Sequence, residues 1–247
     1  RGVEKITDTC LDADEVFPFE SHSRWIRFRK KPLNGVEEPE PAGFRTEKTG
    51  TWQLGPYPLT MKTAPAVFSG TGLDAGTACF LTHFPEEAVR GAQRVADAGC
   101  GSGIFGLCAA YLNPEAQIFF TDESYLAVRS AEANYRLNGF SGKAAFLPAN
   151  GLEGIADKSV DAVLCNPPFH YANIQSREPA AFLFSEAARV LRPGGLLQIV
   201  GNIHLGYHKL LKNYFSRVDE AKRDDKFTVL RARQQQGSGN YYIAAKV

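Results

Sequence analysis

Between Gln93 and Val200, short apolar runs of strand length alternate with longer amphipathic stretches, and this rhythm constrains the fold more than any other feature. Residues 94–97, 117–121, 144–147, 160–165 and 196–200 read as strands. Residues 104–112, 126–137 and 179–191 read as the helices between them. Gly139 lies past the end of the second helix, and Pro179 occupies the first turn of the third, which Pro193-Gly194-Gly195 is expected to stop. Strands joined through helices lie parallel, so the chain is expected to form a doubly wound, mostly parallel α/β sheet. Further on, residues 204–215 predict a short amphipathic helix and 217–233 a closing hairpin. Upstream, residues 51–63 suggest a hairpin around Gly55-Pro56. Leu73, Cys79-Phe80 and Phe84 recur at helical spacing and predict a helix running through Phe84. No internal repeat is visible.

Composition narrows the class. A chain of 247 residues with 44% apolar and 22% charged residues is enough for one large globular domain or for one domain plus a fragment. Residues 32–50 are rich in proline, glycine and glutamate and read as a linker. The division expected is therefore an N-terminal extension over 1–47, a remnant of a preceding domain or the start of a shortened protein, and a main domain over 48–247. The first residue is Arg1 rather than Met, which points to a fragment or a processed chain. Residues 23–31 alternate, with Trp25, Arg27, Arg29 and Lys31 on one face. They read as an edge strand kept soluble by charge or as a small RNA-contacting strip. A net charge of +1 creates no global field, so any nucleic acid must be held by a local patch. No apolar run has membrane-spanning length and no signal-peptide pattern opens the chain. The five cysteines, Cys10, Cys79, Cys100, Cys108 and Cys165, show no metal spacing. They read as reduced residues of a cytoplasmic protein without a metal centre.

Two strand ends carry the chemistry. Asp97-Ala98-Gly99-Cys100-Gly101-Ser102-Gly103 joins a strand to a helix. Glycines there let backbone approach a ligand closely, and the helix start offers free N–H groups. Asp122 ends the next strand, where a carboxylate can accept from both ribose hydroxyls of a nucleoside. Gly101, Gly103 and Gly106 also fit the dinucleotide fingerprint, so a nicotinamide enzyme is one reading. A carboxylate immediately before the loop, however, suits a cation better than a pyrophosphate. An amino-acid ammonium beside an adenosine fits, which describes S-adenosylmethionine. The second strand end is Asn166-Pro167-Pro168-Phe169-His170, after the buried run 160–165. The two prolines remove backbone donors and leave carbonyls, the Asn adds a side-chain acceptor, and an aromatic ring follows. Such a segment can accept hydrogen bonds from a flat amino-bearing group and stack on its face, although Asn-Pro also begins ordinary turns.

These strings resemble the motifs of class I S-adenosylmethionine-dependent methyltransferases acting on exocyclic amines. A fuller set is similar to the bacterial rRNA guanine-N2 methyltransferases: Val67-Phe68-Ser69 with Gly72-Leu73-Asp74, then Asp122-Glu123-Ser124, Val163 to His170, and Lys226 to Leu230. The Asp-Glu-Ser and Cys-Asn-Pro-Pro-Phe-His strings look more like the large-subunit members. The resemblance spans about residues 50–233 and implies a seven-stranded, Rossmann-like sheet with a C-terminal antiparallel hairpin. It implies methyl transfer to N2 of a guanine in ribosomal RNA or a ribosomal subunit. Asn166, Pro167, Pro168, Phe169 and His170 would form the catalytic segment. Phe68, Asp74, Asp97, Gly99, Cys100, Gly101, Gly103, Asp122, Glu123, Asn150 and Asn166 would hold the cofactor. The same Asn-Pro-Pro element serves adenine N6 and glutamine amides, so these remain alternatives, as does a non-catalytic RNA-binding fold. In that family a degenerate copy of the fold precedes the catalytic domain, and residues 1–31 are too few to be that copy.

Overall fold

The computed structural model describes residues 11–16, 26–30, 48–54, 57–63, 73–167 and 178–234. The chain divides into two compact units, Arg1–Arg45 and Thr46–Val247. In the first, β1 (Leu11–Val16) and β2 (Ile26–Lys30) pair antiparallel, with an irregularity between Ala13 and Glu15. Trp25 and Lys31 of the alternating segment lie outside the described residues.

The second unit opens with the hairpin β3 (Lys48–Leu54) and β4 (Tyr57–Thr63), paired in register from Lys48↔Thr63 to Leu54↔Tyr57. Its intended turn, Gly55-Pro56, lies outside the described residues. Two short helices follow, α1 (Ala75–Leu81) and α2 (Glu86–Arg90). The helix expected to run through Phe84 therefore stops at Leu81, and α2 was not anticipated. Thr82 closes α1 by turning its N–H back to Ala78 and Phe80, and Pro85, which has no N–H of its own, opens α2.

The alternation then holds: β5 (Arg94–Ala98), α3 (Ile104–Leu112), β6 (Gln117–Asp122), α4 (Tyr125–Leu137), β7 (Ala144–Pro148), β8 (Val160–Cys165), α5 (Glu178–Val190) and β9 (Leu191–Asn202). After a 3-10 turn over Ile203–Leu205 come α6 (Tyr207–Leu211), β10 (Arg217–Arg223) and β11 (Phe227–Arg233). Two expectations are corrected. The stretch 204–215 is not one helix, because Gly206 at φ 66° breaks it into the 3-10 turn and α6. Pro193-Gly194-Gly195 does not precede the last parallel strand but lies within β9. Register slips there, from Val160↔Leu191 to Ala162↔Leu196, which absorbs the residues that cannot join the ladder.

The seven-stranded sheet has the order β10-β11-β9-β8-β5-β6-β7. Strands β5 to β9 run parallel, and β10 and β11 return antiparallel. One face buries Phe80, Phe105, Leu107, Phe120 and Tyr135, with Leu59 and Met61 of β4 added to it. The other buries Leu152, Leu183, Phe184, Leu197, Tyr207 and Leu211. Helices thus cover both faces, as a parallel sheet requires. Asp161 interrupts the apolar run of β8 but is fully used. It accepts from the Gln93 and Arg94 N–H groups at 2.8 and 2.9 Å and from Arg192 at 2.8 Å, tying together the N-terminal ends of β5, β8 and β9. The edge strand β10 is mostly exposed and carries Arg217, Asp219, Glu220, Lys222 and Arg223, charges that discourage pairing with another chain.

Candidate active site

The carboxyl ends of β5 and β8 are neighbours, since Ala98 pairs with Cys165. The glycine loop and Asn166 therefore meet where strand order reverses, the place where open α/β sheets form a crevice. Thr77, Asp97, Gly99, Cys100, Gly101, Ser102, Ile104, Phe105 and Asn166 line one open cleft.

Asp97, the last polar residue of β5, is only 1% exposed. Its Oδ2 accepts from the Gly106 N–H at 2.8 Å, satisfying a donor in the first turn of α3. Burial pushes the Asp97 carboxyl up to about 8; the Gly106 N–H opposes that rise and the charge of Asp122 adds to it. A buried acid held this far from its ordinary range in a cleft marks a candidate functional position.

Three glycines of the loop have positive φ, 66° at Gly99, 53° at Gly101 and 89° at Gly103, so the chain there takes a course that side chains disfavour. The Cys100 N–H donates to the Thr121 carbonyl at 2.9 Å and the Gly103 N–H to the Cys100 carbonyl at 2.7 Å. Asp122 completes the frame: its Oδ2 accepts from the Gly101 N–H at 3.0 Å and its Oδ1 from the Ser124 N–H at 2.9 Å. Ser124 in turn caps α4. The Asp122 carboxylate is thus preorganised beside the loop. Glu123 and Asn150 are exposed, Glu123 directly after β6 and Asn150 in the turn after β7. That turn is held to α5 by Arg189, which reaches the Leu152 and Ile155 carbonyls, Asp157 and Glu186. The Cys100 thiol is buried and its pKa raised well above the ordinary range, first by burial and then by Asp97 and Asp122, so this residue offers backbone rather than a nucleophile.

Asp74 caps α1 by accepting the Thr77 N–H at 3.0 Å. Phe80, one turn on, stacks on Phe105 of α3 with centroids 4.0 Å apart. That stack presses α1 against the cleft and brings Thr77 to Asn166, whose Nδ2 faces the Thr77 hydroxyl at 3.4 Å. A Cβ on Gly76 would meet Asp74 Oδ1 at 3.1 Å and Asn166 Nδ2 at 3.7 Å, so the cap and the amide share this corner. With Nδ2 turned to Thr77, Asn166 Oδ1 remains as the acceptor. Pro167 is buried beside it. Phe68, Pro168, Phe169 and His170 lie outside the described residues. Sequence reasoning missed Thr77, Ile104 and Phe105; Asp74 as an N-cap is the signal that could have found the first.

A seven-stranded sheet with two returning strands and a glycine-loop cleft at its topological switch defines a class I methyltransferase fold, and the comparisons agree. The family model described as the methyltransferase small domain matches residues 58–231, and the chain belongs to that family. The chain is 44% identical over 198 residues to the ribosomal RNA large subunit methyltransferase G of Streptomyces avermitilis, covering 80% of this chain and 51% of the relative. It is 43% identical over 207 residues to the protein of that name from Pseudomonas paraeruginosa, covering 84% and 55%. The chain spans about half the length of these curated relatives. Among solved structures it is similar to a T. thermophilus 16S rRNA N2 guanosine methyltransferase in complex with AdoMet and guanosine. The TM-score is 0.68 at 25% identity over 90% of this chain and 58% of that one. A methyltransferase from Pyrococcus furiosus, at 18% identity and TM-score 0.56 over 72% of this chain and 89% of its own, shares the fold.

No helix among the described residues is long and apolar enough to cross a membrane. Among the described residues no group of His, Cys, Asp and Glu side chains is placed to hold a metal ion.

Proposed function

We propose that residues 48–247 form the catalytic domain of an S-adenosylmethionine-dependent methyltransferase acting on the N2 amine of a guanine in ribosomal RNA, and that residues 1–47 are an extension from a preceding domain. The observation that carries the reading is the convergence of Asp97, the loop Gly99–Ser102 and Asn166 on one cleft, with Asp122 bonded to the loop at its edge. The donor set suits the cofactor: a buried carboxylate for an ammonium, glycine backbone for close approach, and a fixed carboxylate for ribose hydroxyls. Asp74 and Phe68 would flank the methionine end, and Glu123 and Asn150 the adenine side. When bound, the cofactor supplies an electrophilic methyl group on a sulfonium.

The protein's part is to make a poor nucleophile attack. The guanine N2 lone pair is delocalised into the ring. Asn166 Oδ1 and the Pro167 carbonyl would each accept one N–H of that amine, favouring its pyramidal form and aiming the lone pair. Phe169 would stack on the base, and His170 would receive the proton or contact the RNA. Positioning and electrostatic fit then supply most of the rate. The base must leave its stack or already be single-stranded. A cytoplasmic location follows from a ribosomal substrate. Relatives at 44% and 43% identity named for the large subunit favour that subunit.

The test is transfer of radiolabelled methyl from S-adenosylmethionine to deproteinised ribosomal RNA lacking the modification, followed by digestion to nucleosides. Label in N2-methylguanosine that falls at least a hundredfold in Asn166→Ala, measured at saturating cofactor, supports the reading. Label in N6-methyladenosine, or in protein but not RNA, overturns the choice of amine.

A further inference from the structure

Asn134 lies in the last turn of α4 and is fully buried. Buried asparagines inside helices are uncommon and need partners. This one has three. Its Oδ1 accepts from the Lys62 N–H of β4 at 2.7 Å, and its Nδ2 donates to the Lys62 carbonyl at 3.1 Å and to the Ser102 carbonyl at 3.0 Å. Toward β4 the amide behaves as a strand would, giving and taking one hydrogen bond. Toward the glycine loop it grips a backbone oxygen that no other described hydrogen bond holds. One turn earlier on the same helix, Ala131 touches the loop as well: a Cβ on Gly103 would fall 2.9 Å from the Ala131 Cβ.

One turn later, Asn138 repeats half of this arrangement. It accepts from the Thr60 N–H at 2.9 Å and donates to the Thr60 carbonyl and the Asn134 carbonyl, both at 2.8 Å. Asn138 therefore fastens the same strand to the same helix without touching the loop. The two residues separate holding β4 from holding the glycine loop.

We propose that Asn134 is a positioning residue for cofactor binding, fixing the Ser102 peptide so that the adjoining Gly101 backbone faces the cleft in its binding geometry. The inference rests on the reading that the loop holds S-adenosylmethionine. Gly101 is anchored on its other side by Asp122, so the loop is held between a carboxylate on its N–H side and an amide on its C=O side. Losing Asn134 frees one of the two clamps and leaves the Ser102 carbonyl without a donor.

The experiment is isothermal titration of S-adenosylmethionine into wild type, Asn134→Ala and Asn138→Ala, at a temperature well below the unfolding midpoint of each. Both variants should lower the midpoint of the cofactor-free protein, since each removes a side chain bonded to both backbone groups of one β4 residue. Only Asn134→Ala should weaken binding, about tenfold or more, while Asn138→Ala stays within twofold of wild type. Asn134→Asp keeps the acceptor for Lys62 but sets an oxygen against the Ser102 carbonyl; it should also bind weakly and stands in if the alanine variant does not fold. Equal losses in Asn134→Ala and Asn138→Ala, or wild-type affinity in the folded Asn134 variants, overturn the inference. Failure of the wild type itself to bind would instead refute the cofactor reading on which it rests.

Discussion

Lowering the pH should weaken cofactor binding through Asp97. The carboxyl is 1% exposed, and burial lifts it to about 8, with a single described N–H, that of Gly106, stabilising its charge. At pH 7 only about a tenth of the ligand-free protein carries this group ionised. A ligand bearing an ammonium and a sulfonium selects the carboxylate, so binding at pH 7 releases up to one proton. Each unit of pH below about 8 then costs up to about 1.4 kcal/mol of affinity, and above about 8 the effect levels off. The same shift has the opposite consequence for the ligand-free fold. The folded carboxyl sits above its unfolded value of about 3.9, so between about 4 and 8 the folded chain holds a proton that the unfolded chain has lost. That contribution to stability is full below about 4 and is lost as pH rises through about 8. Asp97→Asn keeps the shape and cannot ionise. The ratio of wild-type to Asp97→Asn affinity, in which the ligand's own titration cancels, should rise steeply from pH 6 to 8. Titration in two buffers of different ionisation enthalpy should report proton release for the wild type that the variant lacks. Urea unfolding should show the variant gaining on the wild type from pH 5 to pH 9. A flat affinity ratio with no extra proton release would refute the reasoning.

Gly106→Ala should destabilise the protein by about 1–3 kcal/mol in urea unfolding, although alanine normally favours a helix interior by about 1 kcal/mol. The reason is that a Cβ there falls 2.2 Å from Cε1 of Phe120, a ring that is fully buried and stacked on Phe146 at 4.9 Å. A variant as stable as wild type would mean that this ring yields freely. Asp122→Ala should weaken S-adenosylmethionine binding at least tenfold by titration, because the Gly101 and Ser124 N–H groups lose their acceptor together with the proposed ribose contact. Undiminished binding would remove Asp122 from the site.

Which segments become central strands, and where the chemistry sits along the chain, were legible in the residues alone. Apolar runs of five or six residues such as β5 and β8 can be buried only between neighbours on both sides, so Asp97 and Asn166 at their ends had to emerge at one edge of a sheet. Short elements were less legible because few local interactions specify them. The five-residue α2 depends on contacts such as those from Asn113, whose side chain donates to the Val89, Arg90 and Ala92 carbonyls. Likewise, Gly206 reads as a tolerable helix residue until its positive φ is seen. The order of strands and the fate of polar residues inside helices were set by packing. Along the chain, Asn134 and Asn138 are unremarkable polar positions on an amphipathic helix. Their roles come from β4, more than seventy residues earlier, whose backbone groups lie against them and bond to them. A buried amide is stable only where such groups meet it, and that meeting is a property of packing rather than of local sequence.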